Sequence, residues 1–272
     1  APNLFSDEDG MYRGMDLNIY ELETDRTQYT VFSLWDTYRA THPLYTILQK
    51  KRNIDFVKTM LDQYRTGGIL PIWELAGNYT GCMIGYHGIP VIWDTYQKDR
   101  DSFDAELAFE AMKHSANQSH LGLDHYINQG FIAADFEGES VSKTLEYAYD
   151  DWCIAQMALA LNKPEDYQYF IKRSLYWRNV YDPASGFMRA RFNGGWFGPF
   201  DPWEVNFNYT EANAWQYRFY VPHDLENLIQ GMGGPDIFEA ELDSLFTASS
   251  QTSGRDQADI TGLIGQYAHG NE

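Results

Sequence analysis

SVSKTLEYAYDDWCIAQMALAL, residues 140–161, is the longest periodic stretch of the chain. Its apolar side chains recur at alternating intervals of four and three residues, which is the period of an α-helix with a buried face. The stripe consists of Val141, Leu145, Ala148, Trp152, Ala155 and Leu159. This pattern predicts one long helix and indicates that helices dominate the fold.

Shorter helical patterns lie on both sides of this stretch. One begins at Asp25 and ends where His42-Pro43 interrupts it. A second follows Asn53, which we expect to cap it, and stops at Gly67-Gly68, because glycine readily ends a helix. Further helices are expected from Asp104, from Pro164, and near 210–220, 222–231 and 235–248, with one short strand at 187–192.

Loops rich in Gly, Trp and Tyr separate the expected helices. Such an alternation indicates helical hairpins arranged in a ring, with the loops forming a functional rim. We find no heptad repeat, no internal repeat and no low-complexity linker in the 272 residues. The sequence therefore predicts one all-α domain.

The composition excludes several classes of partner. The formal net charge is −19, so nucleic acids and anionic membrane surfaces would repel the chain. No apolar run approaches the length of a membrane span. Aromatic residues make up 16% of the chain, which suits a ligand that stacks on rings but also suits a well-packed helical core. Cys153 lies in an apolar helical pattern, so we expect a buried free thiol there.

YTEANAWQY, residues 209–217, places one carboxylate among aromatic and amide side chains. It follows a loop rich in glycine and aromatic rings, GGWFGPF at 194–200. A carboxyl group beside apolar rings holds its proton to a higher pH, and rings and amides are the groups that bind sugars. The spacing Asn208-x-x-Glu211 fits a helix capping box equally, in which Glu211 would stay ionised. The local residues leave both interpretations open.

SLWDTYR, residues 33–39, is the second candidate segment. On a helix, Asp36 would share a stripe with Phe32 and Arg39 and would point where apolar residues point. An inward carboxylate needs partners. Two interpretations are open: a structural ion pair between Asp36 and Arg39, or a carboxylate that accepts hydrogen bonds from sugar hydroxyls, with Trp35 beside it.

Metal-binding signals are sparse. The seven histidines are scattered without an HExxH pattern, and no CxxC occurs, so no zinc site is predicted. The acidic run at 7–10 lacks the spaced ligands of a calcium loop, and we expect an acidic turn there. Asn271 and Glu272 offer oxygen atoms that suit calcium, although a surface loop explains them as well by spacing alone.

Four segments together resemble the family-92 glycoside hydrolases, which are calcium-dependent exo-acting α-mannosidases that invert anomeric configuration. They are DGMYRGMD at 9–16, SLWDTYR at 33–39, YTEANAWQY at 209–217 and HGNE at 269–272. They occur in the family's order and extend over nearly the whole chain. Four ordered motifs are far more specific than any one of them.

The resemblance implies a fold and a set of roles. The family combines an N-terminal β-sandwich with an (α/α)6 barrel, so we expect residues 1–272 to be most of the helical domain, with the sandwich and the end of the barrel absent. Glu211 would be the general acid, and Asp36 would hold the terminal mannose. The other substrate-binding residues would be Trp35, Arg39 and His269. Asn271 and Glu272 would bind calcium, which would bridge the 2- and 3-hydroxyls of mannose.

An inverting glycosidase also needs a base, with its carboxyl group about 6.5–9.5 Å from that of the acid. The family's aspartate base lies beyond the HGNE motif, so we expect it outside this chain, and the isolated chain to be inactive. Some family members that prefer α-1,2 linkages carry Glu after the His of the HGNE motif; Gly270 stands there in this chain, so the resemblance weakly disfavours that linkage.

By resemblance, the partners would be mannose-containing glycans, and the parent protein would be secreted, periplasmic or at the cell surface. The alternatives are a non-catalytic glycan-binding helical protein and another (α/α)6 glycosidase or lyase.

Overall fold

A computed structural model describes residues 2–268 of the chain, which divide into two compact units. Unit 1 is formed by the residues up to 118 together with 150–171, and unit 2 by 119–149 and the residues from 172 onward. The helices are α1 (Leu34–Thr37), α2 (Thr41–Leu48), α3 (Lys50–Gly67), α4 (Gly88–Lys98), α5 (Ala105–Ser115), α6 (Leu123–Gln129), α7 (Ser140–Ala160), α8 (Pro164–Arg173), α9 (Ala214–Tyr217), α10 (Leu225–Gly231) and α11 (Pro235–Thr247). A 3-10 helix follows α8 at Ser174–Asn179.

The strands of the described residues have only two or three residues each and pair two by two. In unit 1 the pairs are β1 (Asn3–Leu4) with β4 (Tyr29–Thr30), β2 (Met11–Arg13) with β3 (Ile19–Glu21), and β5 (Phe32–Ser33) with β6 (Trp73–Glu74). In unit 2 they are β7 (Tyr181–Asp182) with β8 (Phe187–Met188), β9 (Arg191–Phe192) with β10 (Gly195–Trp196), β11 (Glu204–Val205) with β12 (Ser253–Gly254), and β13 (Leu263–Ile264) with β14 (Tyr267–Ala268). Helices therefore dominate, as predicted. The expected strand at 187–192 is two short strands.

The long helix predicted at residues 140–161 is confirmed as α7. Side chains outside its apolar stripe are buried as well. Val141 and Ala155 have no exposed surface, as expected, whereas Leu159 is largely exposed. The polar side chains of α7 are buried as well, including the carboxyl groups of Glu146, Asp150 and Asp151. Burying a charged group is costly unless it has hydrogen-bond partners, so these side chains fix the segments that contact them.

Several helix ends follow from the residues at those positions. Gly68 stands just after α3 with a φ of 87°, a left-handed conformation that glycine adopts without steric cost. Asp104 caps α5 by accepting a hydrogen bond of 3.0 Å from the backbone N–H of Leu107. Pro164 opens α8, where its missing N–H costs nothing. These three predictions are confirmed.

The helix expected from Asp25 to His42 is wrong. Residues 29–33 form β4 and β5, interrupted by Val31 with a φ of 66°. Aromatic and β-branched side chains in this stretch favour extended backbone, and Val31 in a left-handed conformation cannot continue a helix. Pro43 lies in the first turn of α2, a position that tolerates proline, so it does not end a helix.

The expected cap at Asn53 is also wrong. Helix α3 begins earlier, at Lys50. Asn53 is buried within it and donates a hydrogen bond of 2.8 Å from Nδ2 to Oγ1 of Thr95. Asn53 therefore ties α3 to α4 within unit 1, because α4 includes Thr95.

Each unit has its own aromatic core. In unit 1 the ring centres of Tyr29 and Phe56 are 4.6 Å apart and nearly perpendicular. In unit 2 buried side chains of α7, of the β7–β8 pair and of α9 pack together, among them Val141, Met188 and Trp215. Cys153 is a buried free thiol, as predicted. Within the described part of the chain, no helix has the length and apolar character needed to cross a bilayer.

One buried and one partly buried histidine predict an acid-sensitive fold. Burial lowers the pKa of His42 to about 4, and that of His223 to about 4. As the pH falls from 6.5 to 4, the unfolded chain takes up protons that the folded chain does not. The free energy of unfolding therefore decreases by up to about 3 kcal/mol per histidine.

We expect His42→Phe to flatten this pH dependence, because Phe fits beside the rings of Tyr45 and Phe56 and takes up no proton. Denaturant unfolding of the full-length protein between pH 7 and pH 4.5 measures the effect. His114→Gln, at an exposed position, is the control and should keep the wild-type slope. If the free energy of unfolding of His42→Phe depended on pH as steeply as that of the wild type, His42 would not be a source of the acid sensitivity.

Candidate functional site

The segment SLWDTYR lies on β5 and on the four-residue helix α1 in unit 1. Asp36 is half-buried there, and its carboxylate accepts a hydrogen bond from the hydroxyl of Ser33. Oγ1 of Thr37 donates back to the carbonyl of Ser33 at 2.9 Å. These local bonds fix the single turn of α1 and hold the Asp36 carboxyl group in place.

The electrostatics of Asp36 are set first by burial, which raises the pKa of its carboxyl group above the ordinary value. The hydrogen bond from Ser33, the positive charge of Arg39 and that of a protonated His87 act in the opposite direction and do not cancel the rise. The charge of Arg39 therefore influences Asp36, but it is a smaller contribution than burial.

Arg39 is exposed and lies over two aromatic rings. Its guanidinium carbon is 4.8 Å from the ring centre of Tyr38 and 5.5 Å from that of Trp35. Both rings are buried. Cation–π contacts of this kind hold a guanidinium group in place. Trp35 and Asp36 thus lie on α1 and Arg39 just after it, whereas Phe32, expected on the same helical stripe, lies in β5.

A buried histidine–carboxylate network supports this segment, and the sequence did not reveal it. The rings of Tyr38 and His87 are stacked, with centres 4.1 Å apart. Nδ1 of His87 lies 2.8 Å from Oδ1 of Asp150, and both side chains are fully buried. Oδ2 of Asp150 accepts from the backbone N–H of Tyr86 at 2.8 Å, and the Tyr86 hydroxyl donates to Asp151 at 2.8 Å. The sequence did contain one sign of this network, namely carboxylates inside the apolar pattern of α7.

Glu211 stands in unit 2, in the bend before α9, and its backbone φ is 46°. This left-handed conformation costs a residue with a side chain about 1 kcal/mol or more. The capping box belongs to other residues: Asn213 Oδ1 accepts from the N–H of Trp215 at 3.1 Å, and Oε1 of Gln216 accepts from the N–H of Asn213 at 2.7 Å. The interpretation of Glu211 as a cap is therefore wrong. Its side chain is half-buried.

Buried hydrogen bonds fix the backbone on both sides of Glu211. The N–H of Thr210 donates to Oγ of Ser142 at 2.9 Å. Nδ2 of Asn213 donates to Oε1 of Gln266 at 2.8 Å. Glu211 and Ala212 therefore lie between two residues, Thr210 and Asn213, that are held by these bonds.

Aromatic rings surround the same segment. The ring of Trp215 lies 5.0 Å from that of Phe187 and 5.7 Å from that of Trp203. Among residues 2–268, Nε1 of Trp203, Nε1 of Trp215 and Oγ1 of Thr210 have no hydrogen-bond partner. Since buried polar groups normally have partners, these three atoms are available to a polar ligand or to residues outside the described range.

The glycine- and aromatic-rich loop at 194–200 presents a partly exposed tryptophan. Trp196, 38% exposed, lies directly opposite Arg191 in the β9–β10 pair. The guanidinium carbons of Arg191 and Arg189 are 5.2 Å and 5.6 Å from its ring centre. Arg189 is itself held by Asp182 at 2.7 Å and by the carbonyl of Phe197 at 3.0 Å. The two guanidinium groups thereby fix the orientation of the ring.

The remaining predicted site residues lie outside the described residues: His269, Asn271 and Glu272. Within residues 2–268, no group of three or more His, Cys, Asp or Glu side chains is arranged to hold a metal ion. The acidic run at 7–10 forms a turn, closed by a 3.1 Å hydrogen bond from the N–H of Gly10 to the carbonyl of Asp7.

Two aspartates with opposite pKa shifts, the half-buried Asp36 and the buried Asp182, give a stability test. Burial raises the pKa of Asp36, so ionising it at neutral pH works against folding. Burial also raises the pKa of Asp182, but hydrogen bonds from Arg189, Ser185 and the backbone of Ala184 outweigh it and leave the pKa lowered. The ionised Asp182 therefore stabilises the fold at neutral pH and loses this effect as the pH falls.

We expect Asp36→Asn to leave the melting temperature at pH 7 unchanged or raise it, whereas Asp182→Asn should cost about 1–3 kcal/mol. Thermal unfolding of both variants of the full-length protein measures the difference. A large loss of stability in Asp36→Asn would instead identify Asp36 as a structural ion-pair partner.

The sequence and fold of this chain are similar to those of known proteins. Residues 1–272 match the model of the glycosyl hydrolase family 92 catalytic domain. A family GH92 alpha-mannosidase from Bacteroides thetaiotaomicron, solved in complex with mannoimidazole, matches 100% of this chain at 44% identity and a TM-score of 0.93. A family GH92 inverting mannosidase from Bacteroides thetaiotaomicron VPI-5482 matches 100% of the chain at 32% identity and a TM-score of 0.86.

The chain spans little more than a third of the length of its relatives. It covers 37% and 39% of the two solved chains. It also covers 35% of an uncharacterized secreted glycosidase from Arthroderma benhamiae, with 28% identity over 85% of this chain. The predicted fold class, all-α with (α/α)6 topology, is confirmed by the structural matches. Because the family model covers all 272 residues, the chain belongs to glycosyl hydrolase family 92.

Proposed function

We propose that this chain is the helical part of an exo-acting α-mannosidase, which releases terminal α-linked mannose from glycans with inversion. The observation that carries the proposal is the match of the whole chain to an alpha-mannosidase in complex with mannoimidazole, at 44% identity. We also propose that the full-length protein is secreted or held at the cell surface, since one relative is named a secreted glycosidase. As a domain assignment, residues 1–272 would be most of the helical catalytic domain, with a β-sandwich elsewhere in the protein.

Glu211 is the proposed general acid. The observed capping box is formed by Asn213 and Gln216, not by Glu211, and the neighbouring residues Tyr209, Ala212 and Trp215 belong to the core of unit 2. In the reaction, Glu211 gives its proton to the glycosidic oxygen while the bond from C1 to that oxygen breaks, and the bonding electrons remain on the leaving oxygen. A water molecule attacks C1 from the opposite face and loses a proton to a base.

The proposed base is an aspartate outside this chain, because inversion requires a second carboxyl group across the sugar from the acid. Asp36 is proposed to accept hydrogen bonds from hydroxyls of the terminal mannose, with Trp35, Arg39 and His269 as the other substrate-binding residues. Ser33 already orients the Asp36 carboxylate, so little rotamer freedom would be lost on binding. Asp36→Asn should then impair turnover without loss of stability.

The decisive experiment is Glu211→Gln in the full-length protein. The variant should lose about 10²–10⁴-fold in kcat on a mannose disaccharide, whose leaving alcohol needs a proton. It should lose much less on an aryl mannoside with a leaving group of low pKa, which departs without that proton. Glu226→Gln, at an exposed position on α10, is the control and should retain activity on both substrates.

The pattern of loss distinguishes the candidate functions. An equal loss on both substrates would assign Glu211 a role in binding or folding, not acid catalysis. Wild-type protein that binds mannosides but hydrolyses neither substrate would be a glycan-binding protein. Inversion is checked separately by following the anomer of the released mannose by proton NMR before mutarotation.

Calcium is the proposed cofactor, with Asn271 and Glu272 as ligands. Because the described residues offer no metal-binding cluster of their own, this proposal rests on the hard oxygen donors of those two side chains. When bound, calcium would supply positive charge at the sugar hydroxyls. The residues of this chain would still bind the sugar and deliver the proton.

Removing calcium from the full-length protein with EGTA should abolish mannosidase activity and lower the melting temperature, and adding calcium back should restore both. Magnesium at the same concentration is the control and should restore neither, since it binds with a smaller and stricter coordination geometry. Activity that survives exhaustive chelation would remove calcium from the mechanism.

A further inference from the structure

Two buried side chains, Ser142 and Gln266, form hydrogen bonds to the residues on either side of Glu211. We propose that they are positioning residues, which together fix the direction of the Glu211 carboxyl group. The inference rests on the proposed role of Glu211 as general acid. It adds two residues that the sequence pattern did not single out: Ser142 bonds the backbone of Thr210, and Gln266 bonds the side chain of Asn213.

The first anchor is the N-terminal part of α7. Oγ of Ser142, a fully buried residue, accepts the 2.9 Å hydrogen bond from the N–H of Thr210. The adjacent N–H of Val141 donates to the carbonyl of Asn208 at 3.1 Å. Thr210 and Asn208, which precede Glu211, are therefore both bonded to α7.

The second anchor is the amide of Gln266, which is also fully buried. Its Oε1 accepts from Nδ2 of Asn213 at 2.8 Å, and its backbone carbonyl accepts from Nε2 of Gln216 at 3.0 Å. Its own Nε2 donates to the carbonyls of Ser249 and Gln251, at 2.5 Å and 3.1 Å. Because Nε2 is occupied by two carbonyls, Oε1 is directed to Asn213 and the amide cannot turn over without losing these bonds.

The strain at Glu211 explains why two anchors are needed. A residue with a side chain keeps a positive φ only when its surroundings impose it. If either anchor were lost, the backbone at Glu211 could relax to a negative φ, and its carboxyl group would turn away from its present direction. A general acid displaced by about 1 Å can lose about 10²-fold in rate, so these hydrogen bonds matter for catalysis as well as for stability.

Three variants of the full-length protein test the proposal: Ser142→Ala, Gln266→Ala and Asn213→Asp. The last keeps the Oδ1 that caps α9 but removes the donor to Gln266, so it breaks the second anchor without opening a cavity. The controls are Ser244→Ala, at a partly exposed position, and Gln230→Ala, at an exposed position, both in the same unit. Each protein is assayed on the mannose disaccharide and on the aryl mannoside, with its melting temperature measured.

We expect each anchor variant to lose about 10-fold to 10²-fold in kcat on the disaccharide, with KM nearly unchanged, and several-fold less on the aryl mannoside. A merely structural role cannot produce this dependence on the leaving group. Equal losses on both substrates, in proportion to the folded fraction, would overturn the proposal, as would wild-type kinetics. If Gln266→Ala does not fold, Asn213→Asp and Ser142→Ala decide the outcome.

Glu211→Gln separates this inference from the proposed function. If that variant shows the dependence on the leaving group and the anchor variants do not, Glu211 is the acid and the anchors are structural. If Glu211→Gln itself shows no such dependence, the role of Glu211 as acid fails, and the positioning proposal fails with it.

Discussion

Hydrogen bonding to the buried polar side chains of α7 is the constraint on which the rest of the molecule depends. Ser142 and Glu146 are fully buried and bond to Thr210 and Tyr217 within unit 2. Further along the same helix, Asp150 bonds to His87 within unit 1. A buried polar group without a partner would cost several kcal/mol. The segments that carry these partners are therefore held close to the helix, and the candidate segment at 209–217 is one of them.

The carboxyl groups of Asp182 and Asp36 differ in how far hydrogen bonds within the fold stabilise their charged forms. Arg189 and its neighbours provide Asp182 with hydrogen bonds that favour its charged form. Asp36 is kept half-buried, and its hydrogen bond from Ser33 does not offset burial. A charge that the fold leaves incompletely compensated is a cost to stability, and such costs are commonly retained where a ligand provides the missing partner. The contrast supports the proposed binding role of Asp36.

Helices and their ends were predictable from the sequence where residues close together in the chain determine them. The period of residues 140–161, the glycines at 67–68 and Pro164 each act within a few residues, and the helices end or begin there. The stretch from Asp25 to His42 was not predictable in this way, because a helical spacing of aromatic residues there coincides with two short strands and with Val31 in a left-handed conformation. Long-range pairing with residues 73–74 overrides the local period.

The candidate site was predictable only in part. Trp35, Asp36 and Arg39 were found because one motif contains them, and Glu211 because it interrupts an aromatic run. His87 and Asp150 are 63 residues apart in sequence, and no local spacing pairs them. The left-handed backbone of Glu211 was not predictable from its residue type, and the bonds to its neighbours Thr210 and Asn213 come from Ser142 and Gln266, both distant in the chain.

The shortness of the strands has a consequence for how this chain behaves in solution. Each strand among residues 2–268 has two or three residues and one partner. An exposed edge of that length offers a second molecule only one or two backbone hydrogen bonds, too few to extend a sheet from chain to chain. The net charge of −19 adds mutual repulsion. The folded chain thus presents little template for cross-β aggregation despite its high aromatic content.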